Sequence, residues 1–296
     1  MNRTPRLVCY GEILWDVFPD KKVIGGAPLN VALRLHSQGH HAAIISKIGI
    51  DPEGKKAIEY LKEQGFPTKG IQRDDRLKTG EVLVSVNAGG TASYIITEPV
   101  AWDRIVADDE TVAMVRNSEV FIFGSLVCRR PKSKETLYGL LKESRFSVFD
   151  VNLRPPFYTL DVLVDLMKQS QFVKMNDEEL LEIVKDLNGP HASLKEMAFW
   201  LKEAMGIEGL CVTKGAHGAD LLLGENYFSH SGFKVKVEDT VGAGDSFLAT
   251  LIGGLFINKE FPNSVLEKAC AVGALVASKA GANCKIAENE VRMLIN

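Results

Sequence analysis

Along this chain, short apolar runs alternate with longer stretches whose apolar positions fall on one side of a helical repeat. Residues 7–10, 42–48, 120–123, 147–151, 172–175 and 210–213 are nearly continuous in apolar side chains, the pattern of strands buried on both faces. Between them, residues 28–38, 54–64, 132–143 and 193–204 carry the one-sided periodicity of amphipathic helices. Strand and helix in alternation predict an α/β chain of three layers, α/β/α, with a mostly parallel central sheet covered by helices on both faces. In such sheets ligands bind beyond the carboxyl ends of the strands.

Two segments break this rhythm. Residues 13–24 and 80–97 alternate apolar and polar positions, and in the second of them 81–86 and 93–96 flank Asn87-Ala88-Gly89-Gly90, a hairpin signal. Together they predict a small β-sheet placed as a lid over a site. There is no internal repeat and no low-complexity linker, and the last third of the chain is expected to be chiefly helical. The expectation is one domain, residues 1–296, with a β lid formed by about residues 13–24 and 80–98.

Composition narrows the function classes. With 296 residues, 46% of them hydrophobic and 25% charged, the chain has enough apolar material for a substantial core. A net charge of -3 with Lys and Arg scattered offers no field for nucleic acid or an anionic membrane. No apolar stretch reaches the roughly 18 residues of a membrane helix, and the polar start of the chain lacks the apolar core of a signal peptide. A cytoplasmic protein is expected. The five cysteines form no Cys-x-x-Cys pair and mostly sit in apolar runs, as reduced core residues do. No zinc-type spacing occurs among the six histidines.

The strongest chemical signal is Glu238-Asp239-Thr240-Val241-Gly242-Ala243-Gly244-Asp245-Ser246-Phe247. An apolar helix-forming stretch, 247–257, follows at once, so Gly242, Ala243 and Gly244 fall on the turn that opens a helix. The first N–H groups of a helix lack internal partners and carry the positive end of its dipole, which makes that turn an anion cradle. Asp245 is the anomaly. A carboxylate beside an anion site repels the anion, unless its task is to take a proton from a hydroxyl attacking a phosphate. The alternative is a plain helix cap.

Near the other end, Gly25-Gly26-Ala27-Pro28-Leu29-Asn30 puts two glycines and a proline before a helix with an asparagine on its first turn. Upstream, Gly11, Glu12 and Asp16 follow the first strand, at the sheet end where a site belongs. Asp16 and Asn30 are able to hold adjacent sugar hydroxyls, a carboxylate accepting two hydrogen bonds and an amide both donating and accepting. A glycine turn followed by a helix start explains Gly25, Gly26 and Pro28 equally well.

Gly25 to Ala32 and Asp239 to Asp245 resemble, in order and separation, the two signatures of the ribokinase-like (PfkB) sugar kinases, and the likeness extends over essentially the whole chain. Ser46-Lys47-Ile48-Gly49-Ile50-Asp51, Asp150-Val151-Asn152-Leu153-Arg154, Lys174-Met175-Asn176-Asp177-Glu178-Glu179 and Thr213-Lys214-Gly215-Ala216-His217-Gly218 resemble further pieces of that family. Pro99-Val100-Ala101-Trp102-Asp103 and Asn152-Leu153-Arg154-Pro155-Pro156 are most similar to its fructokinases. The resemblance implies a ribokinase-like fold and an ATP-dependent sugar kinase, with fructose converted to fructose 6-phosphate. It implies Asp245 as general base and Gly242, Ala243 and Gly244 as the anion hole. Asp16, Gly26, Asn30 and Arg154 would then contact the sugar. For the nucleotide it implies Asn176, Thr213, Gly215, Gly218, Gly242 and Gly244, with Ala271 and Ala274 flanking the adenine. Asn176 and Glu179 would hold Mg²⁺ through waters, Asn176 having a helix cap as its competing role, and K⁺ is a further candidate ion at the Asp239 loop. A homodimer through the lid is also expected. Leu29 stands where fructokinase-like sequences often carry a smaller residue, and Trp15 and Phe18 put aromatic bulk beside Asp16, which leaves the sugar open.

Rival readings are few. A dinucleotide enzyme would need Gly-x-Gly-x-x-Gly after its first strand, where Cys9-Tyr10-Gly11-Glu12 has a single glycine, and no P-loop sequence occurs. Kinases of ribose or 2-keto-3-deoxygluconate, and a non-catalytic sugar-binding regulator on the same fold, stay as alternatives.

Overall fold

A computed structural model describes residues 5–86 and 92–296. Among them the strands run β1 (Leu7–Tyr10), β2 (Leu14–Val17), β3 (Lys22–Gly25), β4 (Ala42–Gly49), β5 (Ile71–Asp74), β6 (Gly80–Val86), β7 (Ala92–Ile96), β8 (Val120–Gly124), β9 (Ser147–Asp150), β10 (Phe172–Asn176), β11 (Gly209–Thr213), β12 (Ala219–Leu223) and β13 (Asn226–His230). The helices are α1 (Ala27–Ser37), α2 (Pro52–Glu63), α3 (Asp109–Asn117), α4 (Pro131–Leu141), α5 (Leu160–Lys168), α6 (Asp177–Asp186), α7 (Leu194–Met205), α8 (Ala243–Ile252), α9 (Pro262–Ala277) and α10 (Glu288–Ile295).

A nine-stranded sheet in the order β13-β12-β11-β10-β9-β8-β1-β4-β5 forms the middle layer. It is parallel from β11 to β5 and antiparallel at β12 and β13. Strand alternation divides the core in two. Leu7, Cys9, Val120, Ile122 and Phe172 point to one side, where they join Leu29 and Leu35 of α1, Leu248 and Leu251 of α8 and Val265 of α9. Val8, Tyr10, Phe121, Phe123 and Val173 point to the other, against α4, α5, α6 and α7 through Leu137, Leu166, Leu180 and Leu201. Every one of these residues is nearly or fully buried, so the sheet is covered on both faces, as its continuous apolar runs require. Three of the five cysteines, Cys9, Cys211 and Cys270, are buried core residues.

The structure corrects the expected helical last third. Ala219–Leu223 and Asn226–His230 form a hairpin on the sheet edge, turning at Gly224, and the helical run after Asp245 widens into a π-helical turn over Gly253–Asn258. A close backbone crossing shapes this edge. Gly218 has φ +80°, and a Cβ there would lie 1.9 Å from the carbonyl oxygen of His230, so the two segments cross with no room between them.

A second sheet, β3-β2-β6-β7, lies apart from the first. It comprises the two segments expected to form a lid; the hairpin tip, Asn87 to Gly90, lies outside the described residues. One face carries its own small core, Leu14, Val82 and Val84 with Phe18 and Ile96 against them, while Leu83 and Ile95, paired across β6 and β7, are exposed on the other. Trp15 and Lys22 tie it to α2, the indole donating to the Glu53 carbonyl at 3.1 Å and the ammonium to the Glu53 carboxylate at 3.1 Å. Its C-terminal root is held by the buried Arg129, which donates to the Thr97 carbonyl at 2.9 Å, pairs with Asp103 at 2.7 Å and stacks on Trp102 at 3.8 Å. Trp102 and Asp103 thus act as an anchor for this sheet.

Gly218→Ala adds both a clash and a left-handed conformation, and is expected to cost several kcal/mol, above the roughly 1–2 kcal/mol of a left-handed non-glycine residue alone. Gly224→Ala, at φ +55° with open space around its Cβ, should cost only that smaller amount. Thermal melting of the two variants checks the difference; equal losses would show that the crossing at His230 relaxes.

Candidate active site

The site forms where the carboxyl ends of β1, β9 and β10 meet the N-terminus of α8. Gly242 caps that helix at φ +76°, where a Cβ would strike Ala282 at 2.3 Å, so only glycine fits the turn. The Ala243 N–H bonds the Thr240 carbonyl at 3.2 Å and the Ser246 N–H bonds the Gly242 carbonyl at 2.9 Å. Between them, the N–H groups of Gly244 and Asp245 have no backbone acceptor among the described residues. Two unpaired donors at a helix N-terminus make an anion cradle.

Asp245 does not cap this helix. Its carboxylate turns sideways and accepts from Asn30 Nδ2 at 2.8 Å, while Asn30 Oδ1 accepts from Asn283 Nδ2 at 3.1 Å. The buried Asn30 is thereby held in one orientation by a partner on each side. Asp245 itself is half-buried, enclosed by protein yet reached by solvent. Burial, and then the nearby Asp150 carboxylate, push its pKa up to about 6 against the Asn30 bond, Lys174 and Arg154.

Two further acids share the cleft. Asp16, on β2, is raised to about 6 by burial, and Glu12, just past β1, to about 7 by the same cause. Arg154 is exposed and its guanidinium draws all three carboxyls back down, which places it within electrostatic reach of Glu12, Asp16 and Asp245. The glycine pair serves these acids: a Cβ on Gly25 would lie 2.6 Å from Asp16 Oδ2, and one on Gly26, at φ +111°, would lie 2.4 Å from the Glu12 carbonyl. Asp16, Gly26, Asn30, Arg154 and Asp245, far apart in sequence, therefore come together.

Beneath the cradle lies a buried charge cluster. Lys174 Nζ donates to Asp150 Oδ1 at 3.0 Å and faces Gly244, where an added Cβ would lie 3.5 Å from it, in ordinary contact. Burial opposes its charge, but Asp150, Glu179 and Asp245 outweigh that and raise its pKa, so it stays an ammonium. Asp150 Oδ2 is buried without a partner. Asn176 and Glu179 form a reciprocal cap at the start of α6, with bonds of 2.7 and 2.8 Å, and the second Glu179 oxygen accepts from the Leu153 N–H at 2.8 Å. The capping role is thus real, and it aims the Glu179 carboxylate at the Asp150–Lys174 pair.

The expected nucleotide residues lie further along the sheet. Thr213 donates to the Met175 carbonyl at 3.4 Å, and Gly215 sits in an open turn where an added Cβ would meet nothing within 4 Å. Gly218 is confined by the crossing with His230, and Ala271 is fully buried beside Val272 and Val291, so it packs α9 and does not line an open surface; Ala274 is half-exposed. Asp239 accepts from the Val241 N–H at 3.0 Å and the Gly281 N–H at 3.1 Å. Each Asp239 oxygen accepts one N–H and keeps a lone pair, so these bonds leave the carboxylate able to face a cation as well.

Sequence reasoning gave no role to Glu12, Asp150, Lys174, Asn283 or Arg34. A lysine inside the apolar strand Phe172–Asn176 was a visible signal, because a buried ammonium needs paired carboxylates. Asn283 gave none: it meets Asn30 across 253 positions of sequence.

Comparison with known proteins gives the family of the chain. The model of the pfkB family carbohydrate kinases matches residues 3–288, and the chain belongs to that family. It is 32% identical over 280 residues to a sugar kinase of Pyrococcus horikoshii, covering 91% of this chain and 85% of that protein, whose crystal structure, of an uncharacterized kinase, superposes with a TM-score of 0.82 over 98% of this chain and 99% of that one. Fructokinase-2 of Oryza sativa is 25% identical over 305 residues, 93% of this chain and 89% of that protein. A double-mutant fructokinase of Vibrio cholerae, solved with fructose, ADP and potassium, shares the fold with a TM-score of 0.85 at 20% identity, over 99% of each chain.

Glu12 gives a test of the electrostatics. Its folded pKa lies above the ordinary 4.5, so its stabilising contribution is full below about 4.5 and is lost as pH rises through about 7. Glu12→Gln should therefore gain on the wild type by up to about 3 kcal/mol between pH 4.5 and pH 8, at about 1.4 kcal/mol per pKa unit. Denaturant unfolding of both proteins across that range measures the gap; a constant gap would mean that Glu12 ionises normally.

Proposed function

We propose that the chain is an ATP-dependent fructokinase that transfers the γ-phosphoryl group to the 6-hydroxyl of fructose, with Asp245 as general base. The observation that carries this reading is a carboxylate with a pKa near neutrality set on the same helical turn as two unpaired N–H donors. A general base works best when its pKa lies near the operating pH, and the adjacent cradle suits the charge of a transferring phosphoryl group. Fructose as the acceptor is supported by the fructokinases among the relatives.

In this mechanism Asp16, Asn30 and Arg154 bind and orient the sugar so that one hydroxyl faces Asp245. Asn30 fixes the carboxylate oxygen that does not take the proton. The N–H groups of the Gly242-Ala243-Gly244 turn receive the phosphoryl oxygens, and the Lys174 ammonium below Gly244 adds fixed positive charge. The nucleotide would lie along Thr213, Gly215 and the Ala274 face of α9. Magnesium would come with the nucleotide, neutralising phosphate charge. Among the described residues no group of three or more acidic, His or Cys side chains stands together as an ion cage, so the free Asp150 Oδ2, with Glu179 and Asn176, would hold its water shell, the mode that an ion reluctant to dehydrate favours. The β3-β2-β6-β7 sheet acts as the lid that keeps water from competing as acceptor, and its exposed Leu83 and Ile95 are the surface a homodimer would cover.

Asp245→Asn should lower kcat by about 10² to 10⁴ with ATP affinity nearly unchanged. Because the base acts deprotonated, wild-type kcat/KM should fall as pH drops through about 6, a limb that the variant lacks. Coupled ADP release with fructose, ribose and 2-keto-3-deoxygluconate measures both. Turnover of another sugar replaces the substrate; near-full turnover by the variant removes Asp245 from its role; sugar binding with no turnover favours a non-catalytic regulator.

A further inference from the structure

Arg34, on α1, is a buried charge with no counter-charge in the protein. It is 5% exposed, and among the described residues no carboxylate lies within salt-bridge distance of it. Its Nε donates to Ser246 Oγ at 3.0 Å and its Nη2 to the carbonyls of Cys284 at 2.9 Å and Ala282 at 3.4 Å, all neutral oxygens. The third nitrogen, Nη1, makes no hydrogen bond among the described residues and is not sealed off from open space. The space that Arg34 borders is a cavity of about 380 Å³ between α1, α2 and the segment leading into α10. Taking a cation out of water without an opposite charge is costly, and here two N–H donors of that cation are left over for a partner the protein does not supply.

The fixed charges on the lining have one sign. Lys285 is the second of them, and among the described residues no aspartate or glutamate lines the cavity. The nearest acids along the chain, at the start of α10, are engaged elsewhere, Glu288 with Arg292 and Glu290 with Lys279. Tyr60 and Gln64, at the end of α2, also face the cavity, and their side chains make no hydrogen bond among the described residues. Burial raises the Tyr60 pKa, so its hydroxyl keeps the proton it would donate. Two cations, unengaged donors and no carboxylate match a dianion with several oxygens, of which phosphate is the usual partner of Arg and Lys. A cavity of this volume holds a phosphate group with a few carbons attached. It also touches the machinery of α8 through two side chains. Asn283 on its wall donates to Asn30, which holds Asp245, and Arg34 holds Ser246, the next residue of the same turn.

We propose that this cavity is a second, regulatory site that binds a small phosphate monoester, with Arg34 and Lys285 as its charge partners and Tyr60 and Gln64 as further donors. An anion on Nη1 leaves the Nε and Nη2 bonds in place and supplies the missing counter-charge. Binding therefore steadies the first turn of α8 and raises turnover. Only the activity arm of the test rests on the kinase reading.

The probes are inorganic phosphate and glycerol 3-phosphate, titrated at constant ionic strength by calorimetry and thermal melting. The proteins are wild type, Lys285→Glu, Arg34→Met and, as a charge control on the exposed face of α4, Lys132→Glu. Wild type and Lys132→Glu should bind with the same dissociation constant and melt higher with either probe, glycerol 3-phosphate binding at least as tightly as phosphate. Lys285→Glu, at an exposed position, should fold normally and bind at least about 10-fold more weakly, the scale of one charged contact to phosphate. Arg34→Met should lose the response; if it does not fold, Lys285→Glu decides. In coupled ADP release, glycerol 3-phosphate should raise the kcat of the wild type and leave that of Lys285→Glu unchanged. No binding by the wild type overturns the proposal, and so does equal affinity in wild type and Lys285→Glu, which places the anion elsewhere, as at the α8 cradle. Weakening by Lys132→Glu as large as by Lys285→Glu means an adventitious ion only. Binding that Lys285→Glu weakens, with no change in kcat of the wild type, overturns the coupling to α8. If no sugar is turned over, the kinase reading has failed, and calorimetry and melting still decide the site.

Discussion

The first turn of α8 has to satisfy two demands that oppose each other. In the proposed mechanism it must leave N–H donors free for an anion, and it must carry a carboxylate that stays ionisable next to that anion. Left alone, an aspartate there would either cap the helix and use up the donors or repel whatever the donors attract. The fold resolves this by pulling the Asp245 carboxylate sideways onto Asn30, which leaves the donors of Gly244 and Asp245 facing outward. Much of the surrounding architecture keeps that single turn in place.

The compensation is distributed over the strand ends. A parallel sheet delivers its carboxyl termini to one edge, and here β1, β9 and β10 bring Glu12, Asp150 and Lys174 to the same cleft. Glu12, Asp16 and Asp245 are lifted toward neutrality by burial, while Lys174 keeps its charge because three carboxyls bear on it. The result is a graded field: the Lys174 charge near Gly244, raised carboxyls beside the cradle, and the exposed Arg154 within electrostatic reach of the three acids. The proposed mechanism, with a hydroxyl to be deprotonated beside a phosphate to be bound, needs this separation of signs.

Much of this was legible in the chain. The six strands and four helices taken from apolar pattern appear at nearly the expected positions, since a strand buried on both faces leaves an apolar run that little else imitates. Edge strands left a fainter trace. Ile71–Asp74 has one apolar residue, and Asn226–His230 is half-exposed, so neither shows the continuous pattern, and the apolar run Ala219–Leu223 was absorbed into an expected helical region. The site divided in the same way. Local signals, such as the glycine turn before α8 and the aspartate after it, could be read from residue type. Contacts that cross the chain could not, because Asn283 reaching Asn30 and Arg34 reaching Cys284 depend on how α1 packs against α8 and against the turn after α9.

That packing also links the two glycine-rich signatures. Each looks like a local turn, and each is a local turn, yet they act as one unit because α1 and α8 lie against each other. Gly26 opens α1 close to Glu12, Gly242 opens α8 close to Ala282, and the contacts at Asn30 and Arg34 lock the two helix starts together. Moving either helix by a fraction of a turn would separate Asp245 from its partner and shift the donors of the cradle with it. In the proposed mechanism the pairing of the two motifs follows from a geometric constraint: a base and an anion hole can share one turn only if a second helix holds that turn still.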